Sequence, residues 1–276
     1  MALDHLLILE PDVIGHPPSY ISLLYNYIIK NKLSFKVTFV INADIKERLV
    51  REEGIILQPI ENYIDIVFLS EAEISASRRK TLWIRAINRW NLMKKYLKIT
   101  GAEQGYFLYI DHIQLPLALR LPFVSGKKVS GLLFHPSIPP YFYEESDDTF
   151  SFHWKEMIRD YRKKIFYALM LSNHALSFVH TLNPYFPLYA KEHFAYGHKV
   201  SHLPDPCMFP IDDVRLSDQD CDLARHIVEK GKKVFLLFGA LMKRKGIFEV
   251  IEALKYLEPD YTSQMVIVFA GRLQDE

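Results

Sequence analysis

Short apolar runs alternate along the chain with stretches of helical periodicity. Most of these runs are continuously apolar instead of alternating with polar residues, which is typical of parallel strands covered on both faces. The repeated strand–helix order predicts an α/β fold with a doubly wound, mostly parallel Rossmann-like sheet and ligands at the carboxyl ends of its strands. The predicted strands are Leu6–Leu9, Lys36–Ile41, Ile64–Leu69, Phe107–Ile110, Val129–Phe134, Leu176–Val179, Val200–Leu203, Val234–Phe238 and Met265–Ala270.

The first predicted helix begins at a proline pair. Pro18 suits the first turn of a helix, where its missing N–H would have no partner within the helix. Apolar residues then recur at i, i+3 and i+4, and this spacing predicts the buried face of the helix. The residues on that predicted face are Tyr20, Leu23, Leu24, Tyr27 and Ile28.

The strand–helix rhythm breaks once, over residues 204–222. This stretch holds three prolines followed by five aspartates, and prolines do not fit the interior of a helix or the centre of a sheet. We therefore predict a linker at 204–222, between an N-terminal domain, 1–203, and a second domain, 223–276. Another stretch rich in proline and acidic residues, 136–153, predicts a long mobile loop inside the first domain.

After the linker, the pattern predicts a single βαβ unit. Its parts are the strand Val234–Phe238, a helix at Ile247–Leu257 and the strand Met265–Ala270. Because a unit this short cannot bury a core of its own, we expect 223–276 to be the beginning of a second Rossmann-like domain whose remainder is missing.

Composition limits the class of protein. Of 276 residues, 49% are hydrophobic and 24% are charged, the balance of a globular protein with ample material for a core. The net charge of +1 indicates neither a nucleic acid nor a membrane as a partner. Cys207 and Cys221 lack the spacing of a metal or CxxC site, so we expect reduced packing residues in a cytoplasmic protein. The apolar runs are too short for a membrane span or a signal peptide.

The segment FGALMKRKGI carries the clearest candidate chemistry. Gly239 lets the chain turn sharply off a strand, and Lys243, Arg244 and Lys245 follow near the N-terminus of a helix, where backbone N–H groups and the helix dipole favour an anion. Diphosphate is the natural ligand of such a turn, and an exposed basic loop is the alternative. Gly246 follows the last lysine where a P-loop needs Ser or Thr for magnesium, so the segment is not a P-loop.

FGALMKRKGIFEVIEALKYLEP, followed by MVIVFAGRL, resembles the start of the C-terminal domain of GT-B glycosyltransferases of the family 4 type. In that family, an Arg after the strand and a Lys before the helix hold the diphosphate of a nucleotide-sugar donor. Lys245 matches the Lys, whereas Ala240 occupies the Arg position, so the resemblance makes Gly239, Lys245 and, as a substitute, Arg244 the donor diphosphate site. It also implies that no metal or other cofactor is required and that anomeric configuration is retained.

The N-terminal half is consistent with the same family. Gly15 and His16 lie between the first strand and the first helix, where GT-B enzymes place a glycine-containing loop beside the donor phosphates and the acceptor. Asp111 and His112 resemble the family's strand-end histidine segment, and His135 closes the next strand. His112 could hydrogen-bond a sugar hydroxyl or accept a proton, with Asp111 as a catalytic partner or as an orienting group. Gly15, His16 and His135 are then expected in the acceptor cleft.

A basic segment, Arg78–Lys98, holds eight Lys and Arg residues and no acidic residue. Trp83 and Trp90 interrupt it seven residues apart. This pattern fits a solvated basic helix whose tryptophans pack into the core, or a surface that lies on anionic lipid at the inner face of the membrane. A single basic helix in a neutral chain is a weak signal for nucleic acid.

The resemblance implies a glycosyltransferase that moves a sugar from a nucleotide-diphosphate sugar to the hydroxyl of a carbohydrate or lipid-linked acceptor. In the family, the acidic residues that bind the donor's ribose and sugar lie further along than Glu276, so we expect little transfer by this chain alone. The alternative is a non-catalytic or half-enzyme acceptor-binding subunit whose donor site a partner chain completes. A dehydrogenase is disfavoured because Gly15–Tyr20 contains no GxGxxG.

Overall fold

The computed structural model describes residues 4–136, 154–205, 232–239, 241 and 246–271. The chain divides into two compact units, Met1–Met208 and Phe209–Glu276. Most of the predicted loop at 136–153 and most of the predicted linker at 204–222 lie outside the described residues, and the predicted domain boundaries stay a prediction. No helix among the described residues is long and apolar enough to cross a membrane.

The first unit is built on a seven-stranded sheet. Its strands are β1 (His5–Glu10), β2 (Lys36–Ile41), β3 (Ile64–Phe68), β4 (Gln104–Phe107), β5 (Lys128–Leu133), β6 (Leu176–Thr181) and β7 (Val200–His202). The helices are α1 (Pro17–Asn31), α2 (Ala43–Glu53), α3 (Glu71–Ser77), α4 (Leu82–Thr100), α5 (Gln114–Ala118), α6 (Trp154–Leu171) and α7 (Phe186–His193).

The strands run in the order β3-β2-β1-β4-β5-β6-β7, and every neighbouring pair is parallel. The strand order changes direction between β1 and β4. The chain first adds β2 and β3 on one side of β1 and then adds β4 to β7 on the other side. A crevice opens at the carboxyl ends of the strands at such a switch point. This architecture confirms the doubly wound parallel α/β sheet.

Two apolar cores cover the faces of the sheet. Leu7 and Leu9 of β1 pack into the core beneath α3, α4, α5, α6 and α7, whereas Ile8 packs into the core beneath α1 and α2. Since successive side chains of a strand point to opposite faces, a strand buried on both faces must be apolar at every position. This burial explains the continuous apolar runs.

Strand β4 lies three residues earlier than the predicted strand Phe107–Ile110. Gln104 and Gly105 open it, and their polarity and small size conceal the strand from a hydropathy pattern. The Gln104 amide donates to the Ser130 hydroxyl on β5 over 2.6 Å, which satisfies the polar group within the sheet. The apolar residues after the strand continue into a 3-10 helix, Ile110–Ile113.

The buried face of α1 is rotated from the predicted one. Tyr20 and Ile28 are buried as expected, but Tyr27 is 58% exposed, and Ile21 and Tyr25 are buried instead. Ile21, Tyr25 and Ile28 follow an i, i+4, i+7 spacing that fits the helical repeat as well as the predicted set. Contact with the sheet therefore selects between two apolar stripes that periodicity alone does not distinguish.

The second unit contains a two-stranded parallel sheet of β8 (Lys233–Phe238) and β9 (Met265–Ala270). Between them lie α8 (Ile247–Ala253), a 3-10 turn at Leu254–Tyr256 and α9 (Pro259–Ser263). The predicted strand, helix and strand are thus confirmed in order. The helix ends four residues before its predicted end because the chain tightens into the 3-10 turn, and Pro259 begins a further short helix.

Candidate functional site

The predicted site residues of the first unit follow three neighbouring strands, of which β1 and β4 flank the switch point. Gly15 and His16 follow β1, whereas Asp111 and His112 belong to the 3-10 helix that follows β4. His135 comes two residues after the end of β5. Because the three strands are neighbours and parallel, their following loops share one edge of the sheet, where an α/β fold binds its ligands.

A buried arginine connects these loops. Arg89 of α4 is 2% exposed. Its Nε donates to the Ser77 carbonyl over 3.1 Å, and its Nη2 donates to Asp12 Oδ2 over 2.8 Å. Its Nη1 lies 2.6 Å from His112 Nδ1. One guanidinium thereby fixes the end of α3, the loop after β1 and the loop after β4, and this planar fork suits several simultaneous hydrogen bonds.

This contact determines the tautomer of His112. A guanidinium only donates, so Nδ1 must accept and the proton of the neutral ring resides on Nε2. Burial and the adjacent Arg89 charge lower the pKa of His112 to about 4. Within the described residues Nε2 has no hydrogen-bond partner, and the side chain is 25% exposed. His112 is therefore a neutral ring that offers an N–H, not a free base.

An acid beneath the same loop is also neutral. Glu10 at the end of β1 is 1% exposed, and its Oε1 accepts from the Asp12 backbone N–H over 2.7 Å. Burial, together with the Asp12 charge, raises the pKa of Glu10 to about 8. The protonated acid adds no charge to the network at neutral pH, which leaves Asp12 as the counterion of Arg89.

Four aromatic rings stack across the same edge. His16 lies on Phe134, Phe134 on Tyr109 and Tyr109 on His112, with ring centroids 6.1, 4.2 and 5.5 Å apart and interplanar angles of 15, 15 and 18°. The stack brings together residues that follow β1, β5 and β4. Burial raises the pKa of Tyr109 to about 12, so its hydroxyl is protonated at neutral pH. The row therefore packs the loops after β1, β4 and β5 against one another.

Gly15 shapes the loop beside this platform. Its φ of +90° lies in the region that L-amino acids with a side chain rarely adopt. A Cβ there would lie 3.7 Å from the Tyr109 hydroxyl oxygen, so space is available and the backbone conformation is the reason for a glycine. The turn allows the chain to pass from β1 directly into α1.

Asp111 contacts the end of the neighbouring strand. Its Oδ2 accepts from the Phe134 N–H over 2.9 Å, and its Oδ1 accepts from the His135 N–H over 3.1 Å. Both carboxylate oxygens are thus engaged by backbone donors, and Asp111 holds the loops after β4 and β5 together.

A cavity of about 560 Å³ opens beside Asp111. Asp111, Gln114 and His135 line one wall, and residues of α6 line the other: Arg162, Lys163, Phe166 and Tyr167. The expected cleft residue His135 is therefore part of an open cavity. Among the described residues, no group of three or more His, Cys, Asp or Glu side chains is arranged to hold a metal ion.

Of the predicted diphosphate site, the structure describes Gly239. It follows β8 with a φ of +100°, and its N–H donates to the Ala270 carbonyl at the end of β9 over 2.9 Å. The predicted sharp turn off the strand is therefore present. Lys243, Arg244 and Lys245 lie outside the described residues.

The two tryptophans of the basic segment have different environments. Trp90 is 1% exposed, and its indole N–H donates to the Pro122 carbonyl over 3.3 Å. Trp83 is 57% exposed beside Leu82, which is 68% exposed. The expectation of core packing therefore holds for Trp90 and is wrong for Trp83, because α4 begins only at Leu82 and its first turn extends beyond the core that covers the sheet.

None of the protein-family models compared with this sequence matches it, and none of the curated proteins does. Solved structures do resemble it. A glycosyltransferase from Rickettsia africae ESF-5 superposes with a TM-score of 0.52 at 12% identity, covering 98% of this chain and 69% of that one. Anabaena Alr3699/HepE, solved in complex with UDP-glucose, gives 0.50 at 11% identity, covering 96% of this chain and 60% of that one.

The fold is GT-B-like. At these identities the similarity concerns the fold alone, and the chain spans between three fifths and about two thirds of the length of each structure. Assignment to family 4 stays a prediction, as do the roles of the individual site residues.

Within this GT-B-like fold, sequence reasoning missed the residues that organise the site. Asp12 follows β1 in a position typical of a ligand-binding loop, and this could have been read from the strand pattern. Arg89 is one of eight cations in a basic segment and Glu10 one of many surface-like acids, so composition carries no signal that they are buried. Arg162 and Lys163 likewise lie in an ordinary amphipathic helix.

Proposed function

We propose that this chain acts in glycosyl transfer, moving a sugar from a nucleotide-diphosphate sugar to an acceptor hydroxyl. The observation that carries the proposal is the neutral His112 at the switch point of a GT-B-like fold, with its Nδ1 bound to Arg89 and its Nε2–H available. Such a donor suits the hydroxyl groups of a sugar.

In this reaction the bond from the sugar's anomeric carbon to the diphosphate oxygen breaks, and a bond to the acceptor oxygen forms. The acceptor's proton passes to the departing diphosphate, which leaves as a nucleoside diphosphate. His112 binds and orients the transferred sugar through Nε2–H, because its protonated nitrogen cannot accept a proton. Arg89 and Asp111 are positioning residues that hold the loops after β1, β4 and β5.

In this proposal Gly239, Arg244 and Lys245 bind the donor diphosphate, because their segment resembles the diphosphate-binding segment of family 4 enzymes. Two cations near a helix N-terminus would offset the negative charge that develops on the leaving diphosphate, so the proposal requires no metal. Retention of anomeric configuration follows from the family 4 resemblance. In the alternative, this protein is a half-enzyme and a partner chain completes the donor site.

We also propose that the basic segment contacts the surface of a membrane. Arg79 and Lys80 are exposed next to the exposed Leu82 and Trp83, and this combination of cations with apolar side chains fits an anionic lipid surface. Arg78 links the segment to the site, since its Nη2 donates to the Pro11 carbonyl over 3.1 Å. A lipid-linked acceptor would then be presented near the loop after β1.

The proposal is tested by titrating the full protein with a panel of nucleotide-diphosphate sugars and then measuring the release of nucleoside diphosphate. We expect Lys245→Ala to weaken donor binding by about tenfold, the loss of one charge-assisted contact. His112→Gln should leave donor binding within about threefold and slow sugar transfer or hydrolysis by about 100-fold. His174→Gln, at an exposed position far along the chain, is the matched control.

Only slow turnover is expected of this chain alone. Donor binding with no turnover at all would favour the half-enzyme alternative. No binding of any nucleotide-diphosphate sugar would contradict the proposed function. Equal turnover in His112→Gln and His174→Gln would contradict the role of His112.

A further inference from the structure

We propose that the cavity beside Asp111 binds an anionic group, a phosphate, of the acceptor substrate through Arg162 and Lys163. The inference rests on the proposed function and names the chemical class of its acceptor. The site residues predicted from the sequence do not include these two cations. Both belong to α6, on the wall of the cavity opposite Asp111.

The cavity is large enough for a phosphorylated sugar or a similar headgroup. Its volume is about 560 Å³, within the range of small-molecule sites. Asp111, Gln114 and His135 line the wall that adjoins the loops after β4 and β5. An acceptor held here would lie next to the same loops that carry His112.

Arg162 and Lys163 have no counterion among the side chains that the structure describes. Neither side chain donates a hydrogen bond to a residue that the structure describes. The following residue differs, because the Lys164 ammonium lies 5.7 Å over the Tyr189 ring. Two adjacent cations without a described partner in a concave site favour an anion, and a guanidinium matches the geometry of phosphate oxygens.

The remaining wall groups fit the same ligand. The Asp111 carboxylate, the single acid of the described lining, already accepts two backbone N–H groups, so its charge is partly offset. The Gln114 amide and the His135 ring have no hydrogen-bond partner in the part of the chain that the structure describes. Phe166 is half-buried and offers an aromatic face to an apolar or sugar portion of the acceptor.

The experiment measures binding of glucose 1-phosphate, glucose 6-phosphate and plain glucose to the full protein by ligand-observed NMR. The test variant is Arg162→Gln with Lys163→Gln. The matched control, Lys30→Gln with Lys98→Gln, removes the same charge from exposed positions in the last turns of α1 and α4, at the opposite edge of the sheet. UDP is titrated in parallel because the donor's diphosphate is a second source of phosphate.

We expect at least one sugar phosphate to bind more tightly than glucose, and the test variant to weaken that binding about tenfold while the control leaves it unchanged. UDP affinity should be equal in the test and control variants. Equal binding of glucose and both phosphates, or equal loss in both variants, would overturn the inference.

A loss of UDP affinity confined to the test variant would also overturn it, since the cations would then hold the donor. That outcome leaves the proposed glycosyl transfer intact. If the protein binds the sugar phosphate at Arg162 and Lys163 but binds no nucleotide-diphosphate sugar, the anion site is confirmed and the proposed function is contradicted.

Discussion

Two groups of cations lie along the same edge of the sheet, and they differ in what neutralises them. Arg89 and Arg78 reach Asp12, at 2.8 Å and 3.8 Å respectively, and Arg89 also contacts His112. Arg162 and Lys163 face an open cavity without a partner among the described residues. The first group belongs to a closed network, and the second is available to a ligand.

The difference separates positioning from binding. A buried cation with its donors satisfied fixes the protein around it, because breaking such a network strands a charge away from water. An exposed cation without a counterion stays hydrated and costs the folded protein little free energy. It gains most of its interaction energy when an anion binds. The same residue type thus serves as scaffold after β1 and as a proposed ligand contact at α6.

The sharpest test of the comparison applies one substitution to both groups. Arg89→Met removes the 2.8 Å partner of Asp12 and releases Ser77 and His112, so we expect a loss of about 3–5 kcal/mol in the free energy of unfolding. Arg162→Met removes no described contact and should change it by less than about 0.5 kcal/mol. Urea denaturation measures both values.

Arg85→Met is the control for the helix itself, since Arg85 lies one turn before Arg89 and its half-buried side chain makes no described hydrogen bond. Its effect should be close to that of Arg162→Met. Equal losses at positions 89 and 162 would remove the distinction between the closed network and the open cations.

A smaller effect concerns the acid beneath the network. The pKa of Glu10 is raised by burial to about 8, above its ordinary value, so the folded protein retains a proton that the unfolded chain loses. Stability from this group is therefore present at low pH and declines as the pH rises from about 4.5 to about 8. Glu10→Gln keeps an oxygen that can accept from the Asp12 N–H and abolishes this dependence.

Between about pH 5 and pH 7 we expect the wild-type protein to lose about 2–3 kcal/mol relative to Glu10→Gln. Thermal or urea unfolding at both pH values measures the difference. Glu47→Gln, at an exposed position on α2, should follow the wild-type pH profile. A Glu10→Gln profile parallel to the wild type would mean that Glu10 is ionised and belongs to the charged part of the network.

The strands could be predicted because burial on both faces makes each one a continuous apolar run. Lys36–Ile41 and Met265–Ala270 have their predicted bounds. β4 was displaced because Gln104 and Gly105 interrupt its apolar run, and only pairing with β1 and β5 defines it as a strand. The rotated face of α1 has a similar origin, since Tyr27 is as apolar as Tyr25 and only the sheet decides which is buried.

The site was predictable at the level of loops. Strand ends in a parallel sheet share an edge, which places Gly15, His16 and His112 together. The protonation of His112 was not predictable, because it depends on Arg89, 23 residues earlier in the chain and indistinguishable in sequence from its basic neighbours. Long-range side-chain contacts of this kind appear only once helices and strands are packed.

The most direct test is nitrogen NMR of the full protein labelled at the histidine nitrogens, recorded between about pH 8 and pH 5 with and without a bound nucleotide-diphosphate sugar. The account predicts that His112 stays neutral throughout this range, with Nδ1 unprotonated and Nε2 protonated, and that the sugar nucleotide shifts its Nε2 signal but not that of His174. A proton on Nδ1, or an Nε2 signal that the bound sugar nucleotide leaves in place, would contradict it.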